Sequence, residues 1–232
     1  MPKHSFFITG TDTDAGKTVV SAGLLAAANA KGMRSLGLKP IAAGCEKTGE
    51  GLRNDDALQL QAAASIQLPY EQVNPIAFEP PIAPHIAAMQ EKRMLSADRI
   101  SAMCKGALMQ PADFAVVEGA GGWRVPLSHR ETFAHIAKQL NLPVILVVGM
   151  KLGCINHALL TAEAVARDGL KLAGWVANRV DPEMACYDEN AATIEMMLRA
   201  PLLGEVPHLN EPTAENVAQY LDLDALLEGL SG

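Results

Sequence analysis

The chain reads as a doubly wound, mostly parallel α/β sheet, and three observations lead there. Short apolar runs alternate with helical segments from one end to the other, the pattern of a parallel sheet covered on both faces. The first run, Phe6-Phe7-Ile8, passes through a small, polar turn straight into an Ala/Leu-rich helix. Several polar or glycine-rich stretches follow the apolar runs directly, and in such sheets ligands bind at the carboxyl ends of the strands. With 232 residues, 49% of them hydrophobic, one core can hold the chain together, so residues 1–232 are expected to form a single domain.

Taken in order, the first helix should run from Thr18 to Lys31, and Ser35 to Lys39 should form a second strand stopped by Pro40, which has no N–H for a ladder. Residues 41–53, rich in Gly, Lys and Glu, read as a mobile loop. Asp55 to Ala64 is helical in composition, with Asn54 or Asp55 as its cap. The five prolines between Pro69 and Pro84 argue for a connecting loop that walls the site. Ser96 should cap a helix reaching about Met109, and Asp113 to Glu118 is a buried strand ending in an acid. Helices are expected at 132–140, 156–167, 191–199 and from Ala214 onward, with strands at 144–148, 172–177 and 202–206.

The net charge of −7 and the absence of any Lys/Arg run argue against a nucleic-acid or anionic-membrane partner. The four cysteines, Cys45, Cys104, Cys154 and Cys186, are scattered without C-x-x-C pairing, which disfavours zinc and disulfides and fits a reducing cytoplasm. The chain enters its first strand without a signal-like segment, and its most apolar stretch, Leu142 to Met150, is too short to span a bilayer. His85, His129 and His135 read as loop or surface residues, Trp123 and Trp175 as packing residues, and the methionines as core filler.

The chemistry concentrates in Gly10-Thr11-Asp12-Thr13-Asp14-Ala15-Gly16-Lys17-Thr18. Small residues let backbone N–H groups approach phosphate oxygens, and the following helix adds its positive end. Lys17 is placed for the β- and γ-phosphates of a nucleoside triphosphate, and the Thr18 hydroxyl for Mg²⁺. The loop is a variant, since Thr11 stands where the strict pattern has glycine and Gly10 falls one position early. Glu118, at a strand end before Gly119-Ala120-Gly121-Gly122, has the placement of the acid that completes such a metal site, and Asp56 is a second candidate.

With these residues in place the sequence closely resembles the dethiobiotin synthetases. The segments at 10–18, Leu-Lys-Pro-Ile-Ala-Ala-Gly (38–44), Leu-Arg-Asn-Asp-Asp-Ala (52–57), Val-Glu-Gly-Ala-Gly-Gly-Trp (117–123), Val-Gly-Met-Lys-Leu-Gly-Cys-Ile-Asn-His (148–157) and Gly-Trp-Val-Ala-Asn (174–178) match that family in its order. The resemblance implies a phosphate-loop nucleotidase fold and an ATP-dependent ligase that converts 7,8-diaminopelargonic acid and CO₂ into dethiobiotin, ADP and phosphate. It implies Lys17 and Lys39 as catalytic residues, with Mg²⁺ on Thr18, Asp56 and Glu118. ATP would be held by Thr13, Asp14, Ala15, Gly16, Lys17, Thr18, Val19, Asp56, Glu118, Gly119, Ala120 and Gly121, with Asn178, Arg179, Pro207, His208, Leu209 and Glu215 about the adenine. The substrate would meet Thr13, Lys39, Ala43 and Gly121, and its distal carboxylate Lys151, Leu152, Gly153, Cys154 and Asn156 across a homodimer interface.

Two departures stand out. Ala43 lies where the family commonly has Ser or Thr, and a tyrosine expected after the 172–177 strand aligns with Asn190, one turn beyond Tyr187. The competing class is a switch-type ATPase with a deviant phosphate loop, but Asp12 takes the place of its signature lysine, with Thr13 and Asp14 replacing glycines. A related corrin amide ligase would need a glutaminase domain for which this chain has no room.

Overall fold

Neighbouring residues of the central strands enter different cores, which is why those strands read as unbroken apolar runs. The computed structural model describes residues 3–229; residues 1–2 and 230–232 of the expected domain, the latter also the end of the expected helical tail, lie outside the described residues. In β1 (His4–Gly10) Phe7 packs on one face of the sheet and Phe6 and Ile8 on the other. The chain continues through α1 (Lys17–Ala30), β2 (Ser35–Leu38), β3 (Ile41–Ala43), β4 (Glu46–Thr48), β5 (Gly51–Arg53), α2 (Asp55–Ala63), α3 (Tyr70–Val73) and β6 (Ile76–Phe78). Then come α4 (Pro84–Gln90), α5 (Ala97–Ala107), β7 (Phe114–Gly122), α6 (Phe133–Leu140), β8 (Val144–Gly149) and α7 (Cys154–Arg167). The last elements are β9 (Leu172–Asn178), α8 (Tyr187–Met197), β10 (Leu202–Val206), α9 (Ala214–Ala218) and α10 (Leu223–Glu228).

Six strands form one sheet in the order β10-β9-β8-β1-β7-β2, and every neighbouring pair is parallel. The chain leaves β1 toward the β2 edge, returns through β7, and crosses β1 to reach β8. This reversal beside β1 opens a crevice at the carboxyl end of the sheet. β7 repeats the alternation of β1, with Ala115 and Val117 on one face and Phe114 and Val116 on the other. Trp123 closes the first core edge-on against Phe7 and donates its Nε1–H to Asp168 at 2.8 Å. Trp175 is fully buried, so both tryptophans are packing residues as expected.

The sequence misleads where local composition and tertiary pairing disagree. The expected loop at 41–53 holds β3, which pairs with β6, and the β4–β5 hairpin. The proline-rich stretch is interrupted by α3 and β6, and Pro84 opens α4 at a first-turn position where its missing N–H costs nothing. β7 runs past Glu118 to Gly122, α7 starts at Cys154 and α8 at Tyr187, and the helical tail is two helices. Asn54 does cap α2, accepting from the Ala57 N–H, whereas Ser96 precedes α5 without a side-chain bond. His85 and His135 lie on helices, and His135 Nδ1 accepts from the Thr132 N–H in a capping box. Met89, Met94, Met109, Met196 and Met197 are exposed, so the core-filler expectation holds for Met150 and Met184 but not for these.

Gly204 shows how tightly the last strand is covered. Its φ is 151°, and a Cβ there would sit 1.9 Å from the Tyr220 carbonyl oxygen. Gly204→Ala should therefore cost about 2–3 kcal/mol, because backbone rather than a yielding side chain blocks the space. A urea melt with the midpoint of the parent protein would contradict this packing.

Candidate active site

Gly16, φ 86°, ends the loop after β1 and stands at the N-cap of α1 with no side chain capping the helix. The first-turn N–H groups are thereby left for an anion. A Cβ on Gly16 would lie 2.0 Å from Asn178 Nδ2, so glycine is required by contact as well as by conformation. Lys17 is buried and folds back so that its Nζ donates to the Asp12 carbonyl at 3.1 Å. Burial pulls its pKa below the usual lysine value, and the Lys39 charge adds to the effect.

Four elements bring a charged cluster together beside it. Lys39 follows β2, Asp56 lies in the first turn of α2, Glu118 in β7 and Thr18 in α1. Lys39 Nζ donates to Glu118 Oε1 at 2.5 Å and to Asp56 Oδ2 at 2.8 Å, and Thr18 Oγ1 donates to Glu118 Oε1 at 2.8 Å. Glu118 is wholly buried, and its Oε2 has no partner among the described residues. Burial opposes the Lys39 charge, but Glu118 and Asp56 outweigh it and hold the ammonium's pKa above the usual value. Burial likewise pushes Asp56 up, and Lys39 more than reverses this, leaving the carboxyl below its usual range.

The donor set suits a small hard cation: a hydroxyl and two carboxylates, one of which, Glu118, has an oxygen left without a partner. Among the described residues no three His, Cys, Asp or Glu side chains gather as a metal cage. Mg²⁺ carried by a nucleotide needs only one or two protein carboxylates, so the residues present fit it.

A cavity of about 690 Å³ opens over this cluster, lined by Thr13, Asp14, Gly16, Lys17, Thr18, Val19, Lys39, Ala43, Asp56, Ala120 and Gly121 among the expected residues. Pro81, Ile82, Ala83 and Pro84 wall it, as the proline-rich stretch suggested. Asn54, Gln59 and Val125 also line it and were not anticipated; the cap signal at Asn54 was the only hint of a role. Ala43 offers the cavity a methyl group where the resemblance led us to expect a hydroxyl. A larger groove, about 830 Å³, lies between the end of α1, β10 and the α9–α10 segment, and it holds no residue of the phosphate loop.

Glu118, fully buried, meets Lys39 and Thr18 of the lining without lining the cavity itself, and the remaining expected residues sit outside it. Ala15 is buried, and its carbonyl accepts from Asn178 Nδ2 at 2.9 Å, which ties the end of β9 to the phosphate loop. Arg179 N–H donates to the Val206 carbonyl, bringing 178–179 beside Pro207, His208 and Leu209. The Arg179 guanidinium stacks over the Tyr187 ring, and Glu215 lines the larger groove and a further one of about 530 Å³ between α1, α2 and the start of α9. Gly119 lies within β7 against Phe7. Lys151 Nζ pairs with Asp12 Oδ2 at 2.8 Å, Leu152 is 94% exposed, Gly153 (φ 97°) is the uncapped N-cap of α7, Cys154 is buried and Asn156 is exposed. Tyr187 and Asn190 are both outside the cavity lining, and Asn190 is held by the Cys186 carbonyl.

Comparison with known proteins agrees with this geometry. A family model described as an AAA domain matches residues 4–216. The ATP-dependent dethiobiotin synthetase BioD of Cellvibrio japonicus (strain Ueda107) is 60% identical over 228 residues, covering 98% of this chain and all of that protein. The enzymes of the same name from Marinobacter nauticus and Pseudomonas aeruginosa PAO1 are 54% and 56% identical, covering 98% and 97% of this chain and 100% and 99% of their own. Among solved structures, MinD of Aquifex aeolicus superposes with a TM-score of 0.59 at 14% identity, covering 99% of this chain and 97% of its own. A ParA family ATPase of Chlorobium tepidum gives 0.57 at 12%, covering 97% and 92%. Those two share the fold alone. Near-complete coverage at such identity, with Lys17, Lys39 and the Glu118 cluster gathered at one crevice, makes the chain a member of the ATP-dependent dethiobiotin synthetase family.

Proposed function

We propose that the protein condenses 7,8-diaminopelargonic acid with CO₂ at the expense of ATP, giving dethiobiotin, ADP and phosphate. The observation that carries this reading is the meeting of two lysines, Lys17 and Lys39, with the Thr18, Asp56 and Glu118 oxygens over one cavity. An amine and CO₂ give a carbamate without ATP. Lys39 and Lys17 then hold the oxygens of the carbamate and of the γ-phosphoryl group, so that a carbamate oxygen is aligned to attack phosphorus. ADP leaves, and the neighbouring amine attacks the mixed anhydride, loses a proton and expels phosphate as the ring closes. Mg²⁺ on Thr18, Asp56 and Glu118 supplies charge neutralisation on the phosphates. Ala42, Pro81, Ile82 and Val125 give the cavity an apolar side that disfavours water as the competing nucleophile.

The residues about Asn178, Arg179 and Pro207 to Leu209 form the proposed adenine strip, continuous with the phosphate loop through the Asn178–Ala15 bond. For the substrate's distal carboxylate we propose a second copy of the chain. Lys151 to Asn156 do not line their own cavity, no side chain caps α7 although the Cys154 N–H is taken by the Lys151 carbonyl, and Leu152 and Leu160 are exposed. With the Lys151 ammonium engaged by Asp12, the backbone donors and Asn156 are the groups offered to a carboxylate. Such a shared site makes a C₂ homodimer. Among the described residues no helix is long and apolar enough to cross a membrane. The four cysteines are free, which supports a reducing, cytoplasmic setting.

Incubation with diaminopelargonate, bicarbonate and MgATP should yield dethiobiotin, and ATP hydrolysis that ignores the diamine would refute the assignment. Lys17→Ala should lower kcat by about a hundred- to a thousand-fold, because it removes a preorganised charge from the transferring group. A parent-like kcat in that variant would contradict the phosphate-loop role. For the dimer, Lys17→Ala and Asn156→Ala proteins, each strongly impaired alone, should regain activity when their subunits are mixed, since one site of the heterodimer has both residues intact. Mixing without recovery would contradict the shared site.

A further inference from the structure

The carboxylates that the proposed function gives to Mg²⁺ are the ones Lys39 grips. Its ammonium is within 2.5 Å of Glu118 Oε1 and 2.8 Å of Asp56 Oδ2, and the lysine side chain is only 5% exposed. One positive charge thus faces two negative ones inside a site where charges interact strongly. A divalent cation bound by the same oxygens would stand against this ammonium at close range, and like charges that close cannot both be held. The other lysine is parked as well, on the Asp12 carbonyl. Lys39 already lines the cavity, so release from the carboxylates leaves it facing the reacting groups.

We propose that Lys39 is a displaceable counter-ion: it holds Glu118 and Asp56 by itself, and a divalent cation arriving with the nucleotide takes those carboxylates and turns the lysine over to the substrate. The inference rests on the metal assignment made above. It explains why one residue can be both deeply ion-paired and catalytic. It also makes metal binding depend on the nucleotide, because the cation alone must compete with an ammonium at no gain elsewhere.

The test is Mn²⁺ binding to the protein without nucleotide, read from the EPR signal of free Mn²⁺. Wild type should bind weakly, Lys39→Met at least tenfold more tightly, and Lys39→Arg, which keeps the charge, as weakly as wild type. Equal affinity in wild type and Lys39→Met overturns the proposal. Should Lys39→Met unfold alone, Mn²⁺ must restore its melting transition where KCl of equal ionic strength does not; failure to restore it also overturns the proposal. Glu118→Gln separates the two layers. If it leaves the signal of bound Mn²⁺–ATP unchanged, the metal assignment fails and the exchange with it. If it abolishes that signal while Lys39→Met binds no better than wild type, only the exchange fails.

Discussion

A carboxylate with no exposure to water sits near the carboxyl edge of this sheet, and much of the site follows from the need to neutralise it. Glu118 in β7 meets Lys39 at the end of β2 and Thr18 at the start of α1. Removing one partner of such a buried pair typically costs about 3–5 kcal/mol, because the other charge is left behind without water. The cluster therefore holds β2, β7, α1 and α2 in mutual register at the rim where a nucleotide would enter. Unless another cation takes its place, removing Lys39 should therefore loosen the sheet's carboxyl edge.

That edge was largely legible in the sequence. Phe6 to Ile8, the polar turn and Gly-Lys-Thr need one another physically: the strand fixes the loop, the small residues allow approach, and the helix supplies the donors. Glu118 was recognisable because a lone acid closes an apolar run and precedes glycine. The rest of its strand was not, since Gly119 to Gly122 have the composition of a loop and rejoin β1 only where Gly122 pairs with Gly10, past a register shift and a left-handed Gly121. β3 and β6 were invisible for a related reason, as each is three residues long and owes its form to the other. Five exposed methionines escaped the patterning because a methionine's packing is not set by its type.

Asp12 shows how a motif departure can carry structure. The switch-type alternative would place a lysine there. Here the carboxylate reaches Lys151 across the crevice, with His157 Nδ1 at 3.8 Å, while its carbonyl holds Lys17. The phosphate loop and the entrance to α7 are thereby joined within one chain, in a way the spacing of neither segment reveals. In the proposed dimer this joins one subunit's phosphate loop to the segment that serves the other's substrate.

In the proposed reaction these lysines and carboxylates direct a carbamate oxygen, and not water, onto the γ-phosphorus. ¹⁸O-labelled bicarbonate, supplied faster than it exchanges with solvent, tests this most directly. Label should pass into the released phosphate, one oxygen per turnover, and ¹⁸O-water should label phosphate only through that exchange. Phosphate labelled directly from water, with none derived from bicarbonate, would contradict it.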